Sequence, residues 1–538
     1  MGIRTFGVAD PGVPACRGHR TGPQQLLRRR KHKPVSIREF DVLVLGGGPA
    51  GTAAATLLAQ RSHRVALVRP INTPAGALAE SIPPSARRLL SELGVLKATD
   101  AAGFFPNSGN SVWWAGNEKR SENFGVDGKG YHVDRTGFER VLVSAAEAIG
   151  ASVLIGMSAR KAVESEKGWK ITCEAEDGGM VEIRASWVLD ATGRHGFLAR
   201  DVREADRSTT TLAITRRFEK PAGWDEITAN HTLVESYEDG WAWSVPLSDT
   251  LRCFTVMADQ RHAALEGRDV NEMLRGELAK TTHLASMLDH VNAEGDSWAC
   301  SSSLYHARRY SRPGLLLVGD AGSFIDPLSS YGVKKALASG WLAGIVAHTA
   351  LVDAPMTEVA LEFFDDRERS VYQSYRHRSA EFFEEAASAY GHPYWTTRAE
   401  AARAAAGAIS APDDEEWLED PAGTHVPADI VRAAHERIRS IESLDALSNP
   451  DLRVIKRPAI RSQRIVMKRH LTNDAYRNGM RYVRGVDLLT LVELAPQYAE
   501  VPNMWNAYNE REAPVSLPDF LVGLSTAFAA GLLVHRDK

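Results

Sequence analysis

The feature that most constrains this chain is a short apolar segment that runs directly into a glycine-rich turn. Residues 40–45 have the composition of a buried parallel strand, residues 52–59 that of a helix, and residues 64–68 that of a second strand. The glycines after the first strand have the spacing Gly-x-Gly-x-x-Gly, which permits a tight turn, a close backbone approach to a pyrophosphate, and close helix–strand packing. The residues predicted to contact a dinucleotide cofactor here are Gly46, Gly48, Pro49, Ala50 and Gly51.

The second strand departs from the usual pattern of such units. It normally ends in Glu or Asp, whose carboxylate binds the ribose hydroxyls. In this sequence Arg69 follows Val68 instead. Two interpretations stay open: either another group binds the ribose, or Arg69 contacts a phosphate.

Length and composition set further limits. A chain of 538 residues is too long for one hydrophobic core, so two or three domains are expected. The net charge of -4 does not favour nucleic acid, and the four cysteines contain no Cys-x-x-Cys pair, so we predict no metal site and no disulfide framework. No uninterrupted apolar run is long enough to cross a bilayer, and we expect a cytoplasmic protein without a membrane partner.

The N-terminal residues 1–37 are rich in Arg, Lys, Gly and Pro and include a basic run at 28–31. A twin-arginine export signal would require an apolar segment and a cleavage site next. The next apolar segment is the first predicted strand, and cleavage after it would destroy the glycine turn. We therefore predict a basic disordered tail.

Three further fragments indicate which dinucleotide is bound. Residues 190–194 (Asp-Ala-Thr-Gly-Arg) and 319–322 (Gly-Asp-Ala-Gly) each follow a short apolar strand, and residues 131–135 (Tyr-His-Val-Asp-Arg) precede a predicted helix. In this order they resemble the fingerprints of the para-hydroxybenzoate hydroxylase superfamily. The resemblance implies FAD, with Asp320 on its ribityl chain and Arg135 along the cofactor. Further cofactor contacts are assigned to Asp190, Gly193 and Gly319.

Other motifs resemble those of flavin-dependent halogenases. Residues 240–246 contain Trp-x-Trp-x-Ile-Pro with Val for Ile, and residues 324–332 match the Phe-x-x-Pro-x-x-Ser-x-Gly loop at the flavin. Residues 80–83 resemble the Gly-Glu-Ser-x-x-Pro strap, with Ala79 in place of its glycine. The resemblance implies flavin contacts from Pro327, Ser330, Gly332 and Val333, and a substrate pocket with Trp241, Trp243, Pro246 and Ser329. Core filling remains the alternative for the tryptophans.

The residue that decides the chemistry is at position 107. In the halogenases a lysine in a Gly-Phe-x-x-Lys-x-Gly segment carries or activates the halogen, and the matching residue here is Asn107. An amide is not an ammonium, so the halogenating residue is missing. A hydroxylase does not need it, because a flavin C4a-hydroperoxide attacks an electron-rich aromatic ring in a dry pocket. The candidate catalytic residues are Asn107, Glu80 and His195, although the last two are equally consistent with polar residues that only line the cofactor site.

The remaining segments complete a predicted α/β (α+β) fold. A Rossmann-like FAD-binding domain is interleaved with a substrate-covering β-sheet domain, and an acidic linker leads to a small, mostly helical C-terminal module that resembles a winged helix. A basic stretch in this module could favour nucleic acid, but a polypeptide partner fits better. The predicted ranges are 38–205 and 306–410 for the FAD-binding domain, 206–305 for the sheet domain, 411–427 for the linker, and 428–538 for the module.

The whole chain resembles the flavoprotein monooxygenases that mature quinohemoprotein amine dehydrogenase. That resemblance implies hydroxylation of a tryptophan in a small-subunit precursor, on the way to cysteine tryptophylquinone. The co-substrates would be oxygen and NADH or NADPH, or flavin reduced by a separate reductase. Two alternatives stay open: a halogenase of an aromatic substrate that uses another lysine, and an FAD-holding binding protein that recruits protein or RNA through its C-terminal module.

Overall fold

The computed structural model describes residues 5–7, 36–71, 78–125, 128–207, 209–224, 229–260, 269–405, 426–441, 443–477 and 479–535. The chain divides into two units. The first comprises Met1–Ala347 and Arg378–Ala404, and the second His348–His377 and Ala405–Lys538. Most of the predicted tail and of the predicted linker lies outside the described residues, although Thr5–Gly7 of the tail forms an edge strand.

The largest sheet, called here the main sheet, is built on the predicted first strand. Ser36–Leu45 pairs in parallel with Val65–Arg69 on one side and with Met180–Asp190 on the other. Leu315–Leu317 also pairs in parallel with Met180–Asp190, so that Asp190 is aligned with both Leu45 and Leu317. The other strands of this sheet are Thr5–Gly7, Ser152–Ile155, Met157–Ser165, Gly168–Ala175 and Ser311–Arg312.

This alignment explains why three motifs that are far apart in sequence meet. Parallel strands have their carboxyl ends at the same edge of a sheet. The turns that begin at Gly46, Ala191 and Val318 therefore leave the sheet side by side, and the predicted strands 40–45, 187–189 and 315–318 are confirmed. The main sheet thus brings the glycine turn, the Asp-Ala-Thr-Gly segment and the Gly-Asp-Ala-Gly segment to one edge.

Glycine is required at two positions of the first turn. Gly46 has a φ of +111°, which side chains of L-residues rarely adopt. A Cβ on Gly51 would lie 1.9 Å from the Gly46 carbonyl oxygen, so only glycine lets the helix Pro49–Gln60 pack this closely on the strand. The predicted helix 52–59 is confirmed and is longer at its amino end, because Pro49 is well suited to the first helical turn.

A seven-stranded sheet, called the cover sheet, corresponds to the predicted substrate sheet. Its central strands lie in the predicted range, but Gly109–Trp113 and Lys119–Asn123 join its edge, whereas the sequence assigns them to the FAD-binding part. Gly109–Trp113 pairs in parallel with His231–Tyr237, a long-range pairing that local patterns do not reveal. The spatial order is Asn292–Ser301, Thr211–Glu219, Leu251–Asp259, Gly240–Pro246, His231–Tyr237, Gly109–Trp113 and Lys119–Asn123.

Two small sheets lie in the same unit. In the first, Gly130–Asp134 is flanked by Ala79–Ile82 and Phe105–Asn107. The second contains Arg203–Ala205, Tyr305–Ala307 and Ser323–Phe324. The remaining helices of residues 86–286 are Ala86–Glu92, Leu96–Ala101, Arg135–Ala148, Val270–Leu278 and His283–Ser286, with 3-10 turns at Gly193–His195 and Arg200–Val202.

Long helices follow the last strand of the main sheet. The segment predicted to be helical, 356–409, contains Thr357–Tyr390 and Pro393–Ala405. Among the described residues one helix, Gly332–Val352, is long and apolar enough to cross a membrane, and 78% of its most apolar window is buried within the protein. Burial of that extent is typical of a core helix. Short 3-10 turns occur at Gly319–Ala321, Pro327–Ser329 and Ala354–Met356.

The C-terminal residues combine helices with strands more evenly than predicted. The basic stretch forms a hairpin of Arg453–Arg461 and Arg464–Thr472, joined by Ser462 and Gln463, which both have positive φ as hairpin turns require. The final strand, Leu533–His535, pairs with Ala446–Ser448. The other elements are Ala428–Ser440, Tyr482–Val483, Val486–Asp487, Leu488–Leu494, Ala495–Gln497, Val501–Arg511 and Leu517–Ala529.

Candidate active site

A cavity of about 600 Å³ lies at the edge of the main sheet where the three turns meet. One part of its wall comes from the glycine turn, and another part comes from the cover sheet, so the two predicted sites share one space. The predicted site residues on the wall are Gly46, Gly48, Glu80, Arg135, Gly193, His195, Trp241, Trp243, Asp320, Pro327, Ser330 and Gly332. Those that do not line it are Pro49, Ala50, Gly51, Arg69, Asn107, Asp190, Pro246, Gly319 and Val333.

The helix Pro49–Gln60 presents its amino end at this cavity. It begins after Gly48 with no side-chain cap and no acidic residue in its first turn. Such an end has N–H groups free to bind an anion. A Cβ on Gly48 would lie 3.5 Å from Arg135 Nη2, so the space in front of the turn faces a guanidinium. This arrangement fits a pyrophosphate.

An ion-pair cluster surrounds Arg135. Its Nη1 donates to Glu80 Oε1 at 2.8 Å, and its Nε donates to Glu139 Oε1 at 2.8 Å. Burial raises the pKa of Glu80, and the charge of Arg135 opposes that rise. Arg69 Nη2 lies 3.6 Å from Glu139 Oε2. Glu139 is 3% exposed, and its Oε2 accepts no hydrogen bond from the described residues.

The unsatisfied oxygen of Glu139 is consistent with a bound dinucleotide. A buried carboxylate oxygen without a donor is costly. Glu139 lines the cavity, where a ribose hydroxyl would supply the missing donor. Sequence reasoning missed this residue because it lies on a helix and not at the end of the second strand.

The Gly-Asp-Ala-Gly turn is held from several sides. Tyr305 Oη donates to the Asp320 carbonyl at 2.7 Å, and Arg203 Nη2 donates to it at 2.9 Å. The buried Lys335 ammonium lies 3.5 Å from Asp320 Oδ1 and also donates to the Ser323 carbonyl. Gly319 has a φ of +62°. The turn therefore fixes the Asp320 carboxylate at the cavity wall, where it could accept from a ribityl hydroxyl.

Asp190 has a different position from Asp320. Its carboxylate accepts from Thr192 N at 3.0 Å, Thr192 Oγ1 at 2.6 Å and Leu198 N at 2.6 Å. It is fully buried and does not line the cavity. Asp190 thus shapes the turn that presents Gly193, since its own oxygens are used by the protein.

His195 lies on the cavity wall, but its contact with Arg200 does not favour a role as a general base. Arg200 Nη2 lies 3.1 Å from His195 Nδ1, and a guanidinium only donates, so Nδ1 accepts and Nε2 carries the hydrogen. Burial and the charge of Arg200 lower the pKa of His195. At neutral pH the ring is therefore uncharged and offers a donor at Nε2.

The cover sheet supplies an aromatic wall. Trp241 and Trp243 stack with ring centroids 5.0 Å apart, and both line the cavity. Trp298 lines it as well, with the Arg194 guanidinium 5.8 Å from its ring. Pro246 ends its strand opposite Arg252, away from this wall. Aromatic faces in such a wall suit a flat aromatic ligand.

The loop predicted to lie at the flavin forms a 3-10 turn. Asp326 accepts from Leu328 N at 3.0 Å, and burial raises its pKa. Ser330 follows with a φ of +53°, and Gly332 begins the long helix. The side chain of Ser329 lies outside what the structure describes. The loop residues that reach the wall include Phe324, Pro327, Leu328, Ser330 and Gly332.

Asn107 is completely buried behind the wall. Its Nδ2 donates to Ser81 Oγ at 2.8 Å, and its Oδ1 accepts from Gly109 N at 3.2 Å. Ser81 and Thr232 reach the cavity in its place. The sequence places Ser81 in the strap motif but gives no signal that links it to Thr232.

Comparisons with known proteins agree with this geometry. The flavin-dependent halogenase armH3 of Armillaria mellea is 26% identical over 372 residues, which cover 62% of this chain and 72% of that protein. The tryptophan 2-halogenase of Chondromyces crocatus is 29% identical over 343 residues, which cover 60% of this chain and 64% of that protein. This chain therefore spans about two thirds of the length of these relatives.

Two solved structures share the fold. CmlS, a flavin-dependent halogenase, has a TM-score of 0.71 and 19% identity, with 93% of this chain and 96% of that chain covered. QhpG, a peptidyl tryptophan dihydroxylase essential for tryptophylquinone cofactor biogenesis, has a TM-score of 0.64 and 23% identity, with 92% and 100% covered. At these identities the similarity establishes the fold alone.

A family model described as an FAD binding domain matches residues 39–338, which is more than half of the chain. The match includes the glycine turn, the Asp-Ala-Thr-Gly segment and the Gly-Asp-Ala-Gly segment, and the predicted resemblance to flavin-dependent halogenases and aromatic hydroxylases is confirmed. FAD is the cofactor, as predicted. The chain belongs to the FAD binding domain family.

Proposed function

We propose that the protein is an FAD-dependent monooxygenase that hydroxylates an electron-rich aromatic ring, and that this ring is a tryptophan side chain of a polypeptide. The observation that carries the proposal is the composition of the cavity wall. Tryptophan rings from the cover sheet face the same space as the glycine turn, and no lysine is among the described residues that line it.

The residues on the wall have separable tasks. The helix end after Gly48 and the Arg135 guanidinium would bind the pyrophosphate, and Asp320 would accept from the ribityl chain. Bound FAD, once reduced by NADH, NADPH or a separate flavin reductase, supplies the activated oxygen. One oxygen atom is added to the ring, and the other leaves as water. Trp241 and Trp243 would hold the ring and keep water out of the chamber.

The lysines near the cofactor site have other contacts. Lys335 bonds the Ser323 carbonyl and faces Asp320, and Lys334 Nζ donates to Ser85 Oγ at 2.9 Å. Neither residue lines the cavity. Position 107 carries an amide whose nitrogen and oxygen each form a hydrogen bond within the protein. These observations favour oxygen transfer over transfer of a halogen through an ammonium.

A polypeptide substrate is supported by two observations. The fold is shared with QhpG, which acts on a peptidyl tryptophan. The C-terminal hairpin also places the exposed residues Lys456 and Arg469 opposite each other. Like charges directly across a strand pair repel one another, and an acidic polypeptide would relieve that repulsion.

Halogenation is the second candidate, because armH3 and the tryptophan 2-halogenase are halogenases. Product mass separates the two reactions. The FAD-loaded protein would be given NADH or a flavin reductase, oxygen, halide, and a tryptophan peptide beside free tryptophan and phenols. A matched peptide with phenylalanine in place of tryptophan is the control.

We expect the tryptophan peptide to gain whole oxygen atoms in the presence and in the absence of halide. A halogen isotope pattern that requires halide would overturn the proposal in favour of halogenation. Flavin that stays oxidised with every reductant would instead favour a protein that holds FAD and recruits a partner.

A further inference from the structure

Four polar side chains from four different strands form a chain of hydrogen bonds whose two middle members line the cavity. Asn107 Nδ2 donates to Ser81 Oγ at 2.8 Å, Thr232 Oγ1 donates to Ser81 Oγ at 2.9 Å, and His132 Nε2 lies 2.9 Å from Thr232 Oγ1. Asn107, His132 and Thr232 are each 2% exposed or less. Only Ser81 and Thr232 line the cavity.

The orientation of the Asn107 amide is fixed by its second partner. Gly109 N donates to Asn107 Oδ1, and a backbone N–H requires an oxygen there. The other end of the amide is therefore the NH₂ group, which faces Ser81. Asn107 thus supplies a donor to the serine and leaves the serine hydrogen unused.

On the other side of Ser81, the hydrogen bond from Thr232 also points toward the serine oxygen. Thr232 uses its own hydrogen toward Ser81, so its oxygen must accept from His132 Nε2–H. Burial keeps the pKa of His132 well below its usual value, so the ring stays neutral. Ser81 Oγ then accepts two hydrogen bonds, and its own hydrogen is left for the cavity.

We propose that the Ser81 hydroxyl is the hydrogen-bond donor that recognises a backbone carbonyl oxygen next to the reacting tryptophan, and that Asn107, Thr232 and His132 are positioning residues. This inference rests on the proposed function. The indole ring has an N–H donor and no acceptor. A donor in the wall therefore distinguishes a tryptophan within a polypeptide from a bare indole, and Ser81 is a specificity-determining residue.

The test compares two probes on the oxidised, FAD-loaded protein by calorimetry. One probe is acetyl-Gly-Trp-Gly-amide, and the other is 3-methylindole, which has no oxygen acceptor. Replacing Ser81→Ala should raise the Kd for the peptide about threefold to tenfold and leave the Kd for 3-methylindole unchanged. Ser81→Thr keeps the hydroxyl and should retain affinity for the peptide.

The Asn107→Asp variant tests the direction of the hydrogen bond between residue 107 and Ser81. A protonated carboxyl donates to Ser81 as the amide does, whereas the ionised form only accepts and draws the serine hydrogen away from the cavity. Peptide affinity of this variant should therefore fall as pH rises, relative to the wild type. The titratable groups on the neighbouring strands, Glu80, His132, His231 and Arg252, are common to both proteins, so the difference between the two pH profiles reports the new carboxyl and its coupling to these groups.

Ser111→Ala is the control, because Ser111 is a fully buried serine that bonds a histidine (His231 Nδ1 at 3.0 Å) and, unlike Ser81, does not line the cavity. Its affinity for both probes should equal that of the wild type. The inference is overturned if Ser81→Ala binds the peptide normally, if both probes weaken equally, or if the wild type does not bind the peptide. Failure of the proposed reaction alone is distinguishable, because the peptide would then bind with these ratios and remain unoxidised.

Discussion

Arg69 Nη2 and Glu139 Oε2 lie 3.6 Å apart beside the glycine turn. Arg69 occupies the end of the second strand, where a carboxylate usually binds ribose, and Glu139 brings a carboxylate to the same region from the helix Arg135–Ala148. The open question from the sequence therefore has a specific answer: we expect Glu139 to bind the ribose and Arg69 to orient Glu139.

Replacing Glu139→Gln should weaken FAD binding. The amide of the variant cannot form the charge-assisted hydrogen bond that the carboxylate accepts from a ribose hydroxyl. Such a bond contributes about 1.5–3 kcal/mol, which corresponds to roughly tenfold to 100-fold in the Kd for FAD. The measurement is the Kd for FAD of apoprotein by equilibrium dialysis. Glu147→Gln, at an exposed position of the same helix, should bind FAD as the wild type does. Equal affinity of both variants would contradict the assignment.

Two glycines of the turn should respond differently to alanine. In Gly51→Ala the new methyl group would lie 1.9 Å from the Gly46 carbonyl oxygen, so the helix must move away and the protein should be strongly destabilised. In Gly48→Ala the nearest atoms lie 3.5 Å away, which the folded apoprotein tolerates. That methyl group would occupy the space for the pyrophosphate, so only FAD affinity should fall. Thermal unfolding of the two apoproteins, beside FAD titration, distinguishes these outcomes.

Stability should decrease in mild acid because of His132. Burial holds the pKa of this histidine well below its usual value of 6.5, so below pH 6.5 the unfolded chain binds a proton that the folded protein does not. The free energy of unfolding therefore falls as the pH falls through 6.5.

Denaturant unfolding across that pH range checks this prediction. His132→Gln, which keeps an N–H donor for Thr232, should remove that part of the slope. His377→Gln, at an exposed position, is the control and should retain it. A slope that is the same in all three proteins would show that His132 does not contribute.

Replacing each of the two stacked tryptophans should affect the free energy of unfolding and the KM for the substrate to different extents. Trp241 is 2% exposed and contacts the Trp114 ring as well, so Trp241→Ala should lower the free energy of unfolding by about 3–5 kcal/mol. Trp243 is only partly buried, and Trp243→Ala should raise the KM for the aromatic substrate about tenfold with a smaller loss of stability. Steady-state kinetics and denaturant titration measure the two effects. Equal losses of stability would show that both rings only fill the core.

The sequence by itself determined the cofactor unit. The strand, turn and helix around Gly46 and Gly51 follow from constraints within about a dozen residues: an apolar strand, a positive φ, and a close contact that only glycine allows. For the same reason the apolar strands before Ala191 and Gly319 were identifiable, and FAD followed from the three motifs together.

Tertiary structure decided which polar groups face the cavity. Ser81 is 151 residues from Thr232, and Asn107 is 26 residues from Ser81, so no local pattern links them. Local patterns also do not reveal that Gly109–Trp113 pairs in parallel with His231–Tyr237. This pairing adds Gly109–Trp113 and Lys119–Asn123 to the cover sheet. Asn107 was predicted to be catalytic, but the fold places it behind the wall, and Ser81 faces the cavity instead. Burial of hydrogen-bonding groups is a property of the packed chain, because a partner is chosen by distance in space and not by distance along the sequence.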